Sequence, residues 1–196
     1  LIYRRKHLKR HVLFIHSAGP QGLHQGSSSL FAYLQSALGP DHDLRKPELP
    51  NPENPEYELW KIKLEQELQM LKGDVILIGH SLGGSVLLKY LSEEGCNLEI
   101  SGFFSIAAPY WGINEDWQRD DFILSENFST KLPLIPKMYL YHSRHENIVP
   151  FAHLEHYIQK LPESNIRVIE GDSHLFQNGL PEFVKDIKNF TSTSSG

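Results

Sequence analysis

The sequence has a single cysteine, Cys96, so no disulfide can form within the chain, which fits a reducing, cytoplasmic setting. Long apolar runs are missing too. Val12 to Ile15 and Val75 to Ile78, the strongest, are four residues each, against the roughly 18 that a membrane-spanning helix needs. Positive charge is in deficit, with 19 Lys and Arg against 24 Asp and Glu and a net charge of -5. A chain of that balance has no overall field to gather phosphates, so nucleic acid is not an expected partner. No repeat of 20 to 50 residues is visible. What remains is ordinary globular composition, 196 residues with 40% hydrophobic side chains, enough for one domain with its own core.

The ends differ from the middle. Residues 1–10 carry five of the basic side chains, Arg4, Arg5, Lys6, Lys9 and Arg10, and only the four apolar residues Val12 to Ile15 follow before His16. A secretory signal would need roughly 7 to 15 apolar residues there. Residues 1–10 therefore read as a solvated basic arm or a vector-derived leader, 11–190 as the folded domain and 191–196 as a polar tail.

Between the ends, β-branched and aromatic runs alternate with stretches of helical period. Strands are expected at His11–His16, Val75–Gly79, Gly102–Ala107, Met138–His142 and Ile166–Ile169, with a weaker one at Asp43–Leu49. Helices are expected at Ser29–Leu38, Tyr57–Leu71, Leu82–Glu93, Phe151–Lys160 and Glu182–Asn189. The alternation predicts an α/β fold: a mainly parallel sheet of about six strands, helices on both faces, and functional residues just beyond the carboxyl ends of the strands.

The strongest chemical signal lies there. Gly79-His80-Ser81-Leu82-Gly83 directly follows one strand and opens the next helix. A nucleophile on so sharp a turn needs small neighbours two positions away on each side, which Gly79 and Gly83 supply. The turn would raise the Ser81 hydroxyl to the sheet edge and set the Leu82 N–H at a helix N-terminus, where it can stabilise an oxyanion. The competing reading is that Ser81 only caps the helix. A phosphate loop is excluded, since it needs Gly-Lys-Ser/Thr where this chain has Gly83-Gly84-Ser85.

An alcohol needs a base, and the base an orienting acid. His174, in Gly171-Asp172-Ser173-His174 after the last strand, is the candidate base. Glu146, in the loop after Met138–His142, is the candidate acid. The loop after the first strand, His16-Ser17-Ala18-Gly19, offers the second oxyanion donor, the Ala18 or alternatively the Ser17 N–H. His24, Trp60 and Trp111 are candidate walls of a substrate pocket. The connection from Pro109 to Pro136, with Trp111, Trp117, Phe122 and Phe128, either covers the site or packs into the core. No metal site is expected. His142 with His145 and His153 with His156 are spaced three apart but lack a third ligand, and Cys96 reads as structural.

These motifs together resemble the α/β-hydrolase superfamily, in particular its small lidless serine hydrolases such as YdeN and the retinoblastoma-binding serine hydrolase. The resemblance rests on Gly79-His80-Ser81-Leu82-Gly83, on Glu146 followed by Val149-Pro150-Phe151, on Gly171 to His174 and on the segment from Pro50-Asn51-Pro52 to Trp60. It runs from about His11 to Phe190. It implies a cofactor-free, carboxylesterase-like hydrolase acting on a small-molecule acyl ester or similar substrate through Ser81, His174 and Glu146. Two positions depart from the pattern: Ser17 stands where glycine is usual, and Glu146 where aspartate is usual. The alternative is a protein-binding module that keeps the fold with a silent site, its protein partner unspecified.

Overall fold

The computed structural model describes residues 9–192. Six strands form one sheet in the order β2-β1-β3-β4-β5-β6, every neighbouring pair parallel. They are β1 (Arg10–Ile15), β2 (His42–Arg45), β3 (Asp74–His80), β4 (Glu99–Ile106), β5 (Met138–Ser143) and β6 (Asn165–Ile169). Helices α1 (Ser28–Leu38), α2 (Tyr57–Gln69), α3 (Leu82–Glu93), α4 (Phe128–Lys131), α5 (Ala152–Lys160) and α6 (Pro181–Ser192) occupy the connections.

The side-chain alternation of the strands explains the layering. Val12 and Phe14 of β1, with Ile76 and Ile78 of β3, face the layer of α1 and α6, where Leu30, Leu34, Phe183 and Ile187 are buried. Leu13, Ile15, Val75 and Leu77 face the other way, onto α2, α3 and α5. A central parallel strand buries both faces, so its sequence is apolar throughout. The chain runs outward from β1 to β2, then reverses across β1 to β3 and continues to β6. That reversal opens a crevice beyond the carboxyl ends of β1 and β3, where sheets of this kind bind ligands.

Some boundaries move. β2 ends at Arg45 rather than Leu49 because Pro47 has no N–H for the ladder. Arg10, read as part of the arm, opens β1 opposite His42, and residues 1–8 of that arm lie outside the described residues. The last helix continues to Ser192, into the segment read as tail; 193–196 lie outside the described residues. The Pro109–Pro136 connection holds two short 3₁₀ turns, Glu115–Trp117 and Asp120–Phe122, and α4. Phe122 and Phe128 pack into the core while Trp111 and Trp117 stay partly exposed, so it both packs and covers. No helix among the described residues is long and apolar enough to cross a membrane.

Candidate active site

Ser81 follows β3 directly, with φ 52° and ψ −123°. A side chain in that region costs about 1–3 kcal/mol and persists only where its surroundings impose it. Here the Ser81 N–H donates to the Ile106 carbonyl at 2.8 Å, and the Ser81 carbonyl accepts from the Gly84 N–H at 2.9 Å. The glycines are required by distance. A Cβ on Gly79 would lie 2.4 Å from the Gly84 Cα, and one on Gly83 would lie 2.1 Å from the Ile15 carbonyl oxygen. The Ser81 hydroxyl makes no capping bond to α3, which disposes of the capping reading.

Gly83 sits against the Ile15 and His16 carbonyls, so the loop after β1 presses on the start of α3. The loop that carries Ala18 therefore leaves β1 against the helix that Leu82 opens. Leu82 opens α3, where a backbone N–H has no partner within the helix. The Ser17 N–H donates to Ser27 Oγ at 2.8 Å and is already committed. Of the two alternatives in this loop, Ala18 is the one with an N–H that no described residue accepts. The Ser17 hydroxyl turns into the protein, 3.1 Å from Ser27 Oγ and 3.3 Å from Gln21 Nε2, so the side chain in the usual glycine position does not block the crevice.

The parallel ladder continues beyond β5 and β6. The Arg144 N–H donates to Ile169 and the His145 N–H to Gly171, each at 2.9 Å, which brings the loop of Glu146 beside the loop of His174. Glu146 Oε1 accepts from His174 Nδ1 at 2.8 Å and from the Val149 N–H at 2.7 Å. Both side chains are buried, and Oε2 of the carboxylate has no hydrogen-bond partner. His142 Nε2 donates to the Val149 carbonyl at 2.7 Å and stands 3.6 Å from Glu146 Oε2. Burial lowers the His142 pKa, chiefly by desolvation, with the Glu146 charge opposing it.

His80 ties the two halves together. Its Nε2–H donates to the His174 carbonyl at 2.8 Å, and its Nδ1 is 2.7 Å from Ser27 Oγ. Desolvation of this wholly buried ring pushes its pKa down to about 3, so it is neutral. The Ser81 hydroxyl and His174 Nε2 carry no hydrogen bond to any described residue, so the link between them is open in this structure.

The three candidate pocket residues are not brought together. Trp60 is fully buried, donating from Nε1 to the Pro50 carbonyl at 2.8 Å and meeting His16 edge-on, so it supports the loop after β1 from beneath. His24 stands on the exposed rim, its carbonyl accepting from Gln177 of the His174 loop. Trp111 packs at a tilt against Trp117 and Phe122. Among the described residues, no group of three or more His, Cys, Asp or Glu side chains gathers where a metal ion could sit. Sequence reasoning missed Ser27, Gln21 and the inward role of His80. The signal available was a histidine at the last, buried position of a central strand.

A family model described as lecithin:cholesterol acyltransferase matches residues 36–143, more than half of the chain. The chain belongs to that family. The solved structures it superposes on share its α/β-hydrolase fold. The ydeN gene product of B. subtilis superposes with a TM-score of 0.78 at 19% identity, covering 94% of this chain and all of that one. A YdeN-like putative hydrolase from Pectobacterium atrosepticum gives 0.68 at 16% identity, covering 94% of this chain and 92% of that one. Esterase PE8 gives 0.66 at 16% identity, covering 93% of each. No curated protein sequence matches. At such identities the structural likeness establishes the hydrolase fold; the chemistry must be argued from the residues.

Proposed function

We propose that this chain is a serine hydrolase that cleaves an ester or related acyl bond of a small molecule, with Ser81 as nucleophile, His174 as base and Glu146 as orienting acid. The observation that carries the reading is the buried 2.8 Å contact between Glu146 and His174 Nδ1, set beside a serine held at positive φ. A carboxylate against Nδ1 fixes the tautomer whose Nε2 can accept a proton, and its charge stabilises the imidazolium that results.

The steps follow from these positions. Ser81 Oγ attacks the acyl carbon while its proton passes to His174 Nε2. The carbonyl electrons move onto oxygen, and the Leu82 and Ala18 N–H groups receive that negative charge. Collapse expels the alcohol, which takes the proton from His174 and leaves an acyl group on Ser81. Water then attacks the acyl-enzyme, His174 again removing the proton, and the acid leaves as Ser81 is restored. No step calls on a metal or cofactor. Leu23 and Ile148, exposed on the loops after β1 and β5, give the rim apolar surface suited to the hydrocarbon part of such a substrate. The lone Cys96 agrees with a cytoplasmic setting.

The test is pre-steady-state hydrolysis of a p-nitrophenyl ester. A burst of nitrophenol equal to the enzyme concentration, absent in Ser81→Ala, is the expected result. No turnover of esters, thioesters or amides by the folded wild type would favour the silent-site, protein-binding alternative.

A further inference from the structure

Ser27 occupies the N-cap position of α1, yet its hydroxyl makes no bond to the helix. A serine there ordinarily accepts from a backbone N–H of the first turn. This one is fully buried and turned the other way, into a chain of polar contacts between the two catalytic loops. The His174 carbonyl can only accept, so His80 Nε2 carries the ring proton and Nδ1 is an acceptor. The Ser27 proton therefore goes to His80 Nδ1, at 2.7 Å. Ser27 Oγ is left to accept the Ser17 N–H at 2.8 Å, next to the free N–H of Ala18. Gln21 closes the loop from outside: its Nε2 donates to the Ser17 and Gly19 carbonyls, each at 3.0 Å, and its Oε1 accepts the Ser27 N–H at 3.1 Å.

We infer that Ser27 and His80 are positioning residues that lock the oxyanion loop to the loop of the base, so that the Ala18 N–H and the His174 imidazole are held in one frame. The inference rests on the serine-hydrolase reading above. Neither side chain touches the reacting atoms. Both act through backbone groups, the Ser17 N–H and the His174 carbonyl, whose neighbours do. Buried polar groups of this kind are costly unless every member is satisfied, and here each donor meets an acceptor. The arrangement also accounts for Ser17: its hydroxyl joins the same cluster, 3.1 Å from Ser27 Oγ.

The experiment compares wild type, Ser27→Ala, His80→Gln and the double variant in ester hydrolysis, using only variants that melt cooperatively. Gln keeps an N–H for the His174 carbonyl and loses the acceptor for Ser27, so both single changes cut the same link. Because the oxyanion contact is made in the transition state, kcat should fall with KM unchanged. The expected fall is about 10- to 100-fold, short of the roughly 10²- to 10³-fold lost when a donor is removed outright. The double variant should fall no further than either single one. Should His80→Gln not fold, Ser27→Ala alone still decides. Wild-type kcat in Ser27→Ala, a change confined to KM, or losses that multiply in the double variant would each overturn the inference while leaving the hydrolase reading intact. A folded wild type with no ester turnover would overturn both.

Discussion

Replacing Gly83 by alanine adds one methyl group and should disable the protein. The new Cβ would lie 2.1 Å from the Ile15 carbonyl oxygen, 2.7 Å from the Ile15 carbonyl carbon and 2.8 Å from the His16 carbonyl oxygen. Ordinary contact distances are about 3.5 Å, so α3 and the end of β1 must separate by more than 1 Å. All three obstacles are backbone, at the end of β1 where Ile15 is held in register against Gly79 of β3 and at His16 just beyond it. Overpacking that side chains can absorb costs about 1–3 kcal/mol; a clash with paired backbone belongs at or above that range. Gly84→Ala is the built-in comparison. Its Cβ meets Ser105 Oγ at 2.6 Å and the Ala108 Cβ at 2.8 Å, side-chain atoms of which the hydroxyl can rotate away. Urea unfolding monitored by tryptophan fluorescence should give a loss of about 3 kcal/mol or more for Gly83→Ala and a smaller loss for Gly84→Ala. Any Gly83→Ala protein that folds should hydrolyse esters poorly, since the displacement parts Leu82 from Ala18. A Gly83→Ala protein within 1 kcal/mol of wild type and fully active would refute the close packing of α3 on β1.

Three further outcomes are expected. Glu146→Gln should lower kcat by up to roughly 10⁴-fold at unchanged fold, by analogy with the loss of a triad aspartate's charge, and Glu146→Asp should also lose activity because a shorter side chain cannot span from the pinned Val149 N–H to His174; steady-state kinetics on stability-matched variants checks both. Stability should fall on acidification below the ordinary histidine value of 6.5, since the unfolded chain binds protons that His80, held at about 3, and His153, held at about 4, refuse in the folded state. His80 alone accounts for about 3 kcal/mol between neutrality and pH 4.5, and denaturant melts of His80→Gln across that window should show a slope shallower by one proton. Trp60→Ala should cost about 3–5 kcal/mol in stability, as a core residue does, and leave the order of preference among ester substrates unchanged.

Much of the fold was legible because its signals are local. Val75 to Ile78 is apolar throughout since β3 is buried on both faces, and Tyr57 to Leu71 repeats with helical period since one face of α2 packs on the sheet. The proposed Ser81, Glu146 and His174 could be put forward for the same reason: each lies in the connection that follows a strand of the sheet, and parallel strands bring their carboxyl ends to one edge. Trp60, expected as a pocket wall, is a core residue: it repeats with Leu64 and Leu68 along the buried face of α2. The aromatics from Trp111 to Phe128 follow no period because short 3₁₀ turns impose none. Ser27 was unreadable in a run of three serines ahead of a helix, where capping is the ordinary expectation and only the three-dimensional partner, His80, reveals the other role.

Covalent capture decides whether Ser81 is the activated nucleophile proposed above. Purified protein treated with a fluorophosphonate should gain one phosphonyl mass, located on the peptide bearing Ser81 and abolished in Ser81→Ala. Labelling should slow markedly in His174→Ala, whose hydroxyl has lost its base. An unlabelled but folded wild type, or an adduct that persists in Ser81→Ala, would show that Ser81 is not the nucleophile.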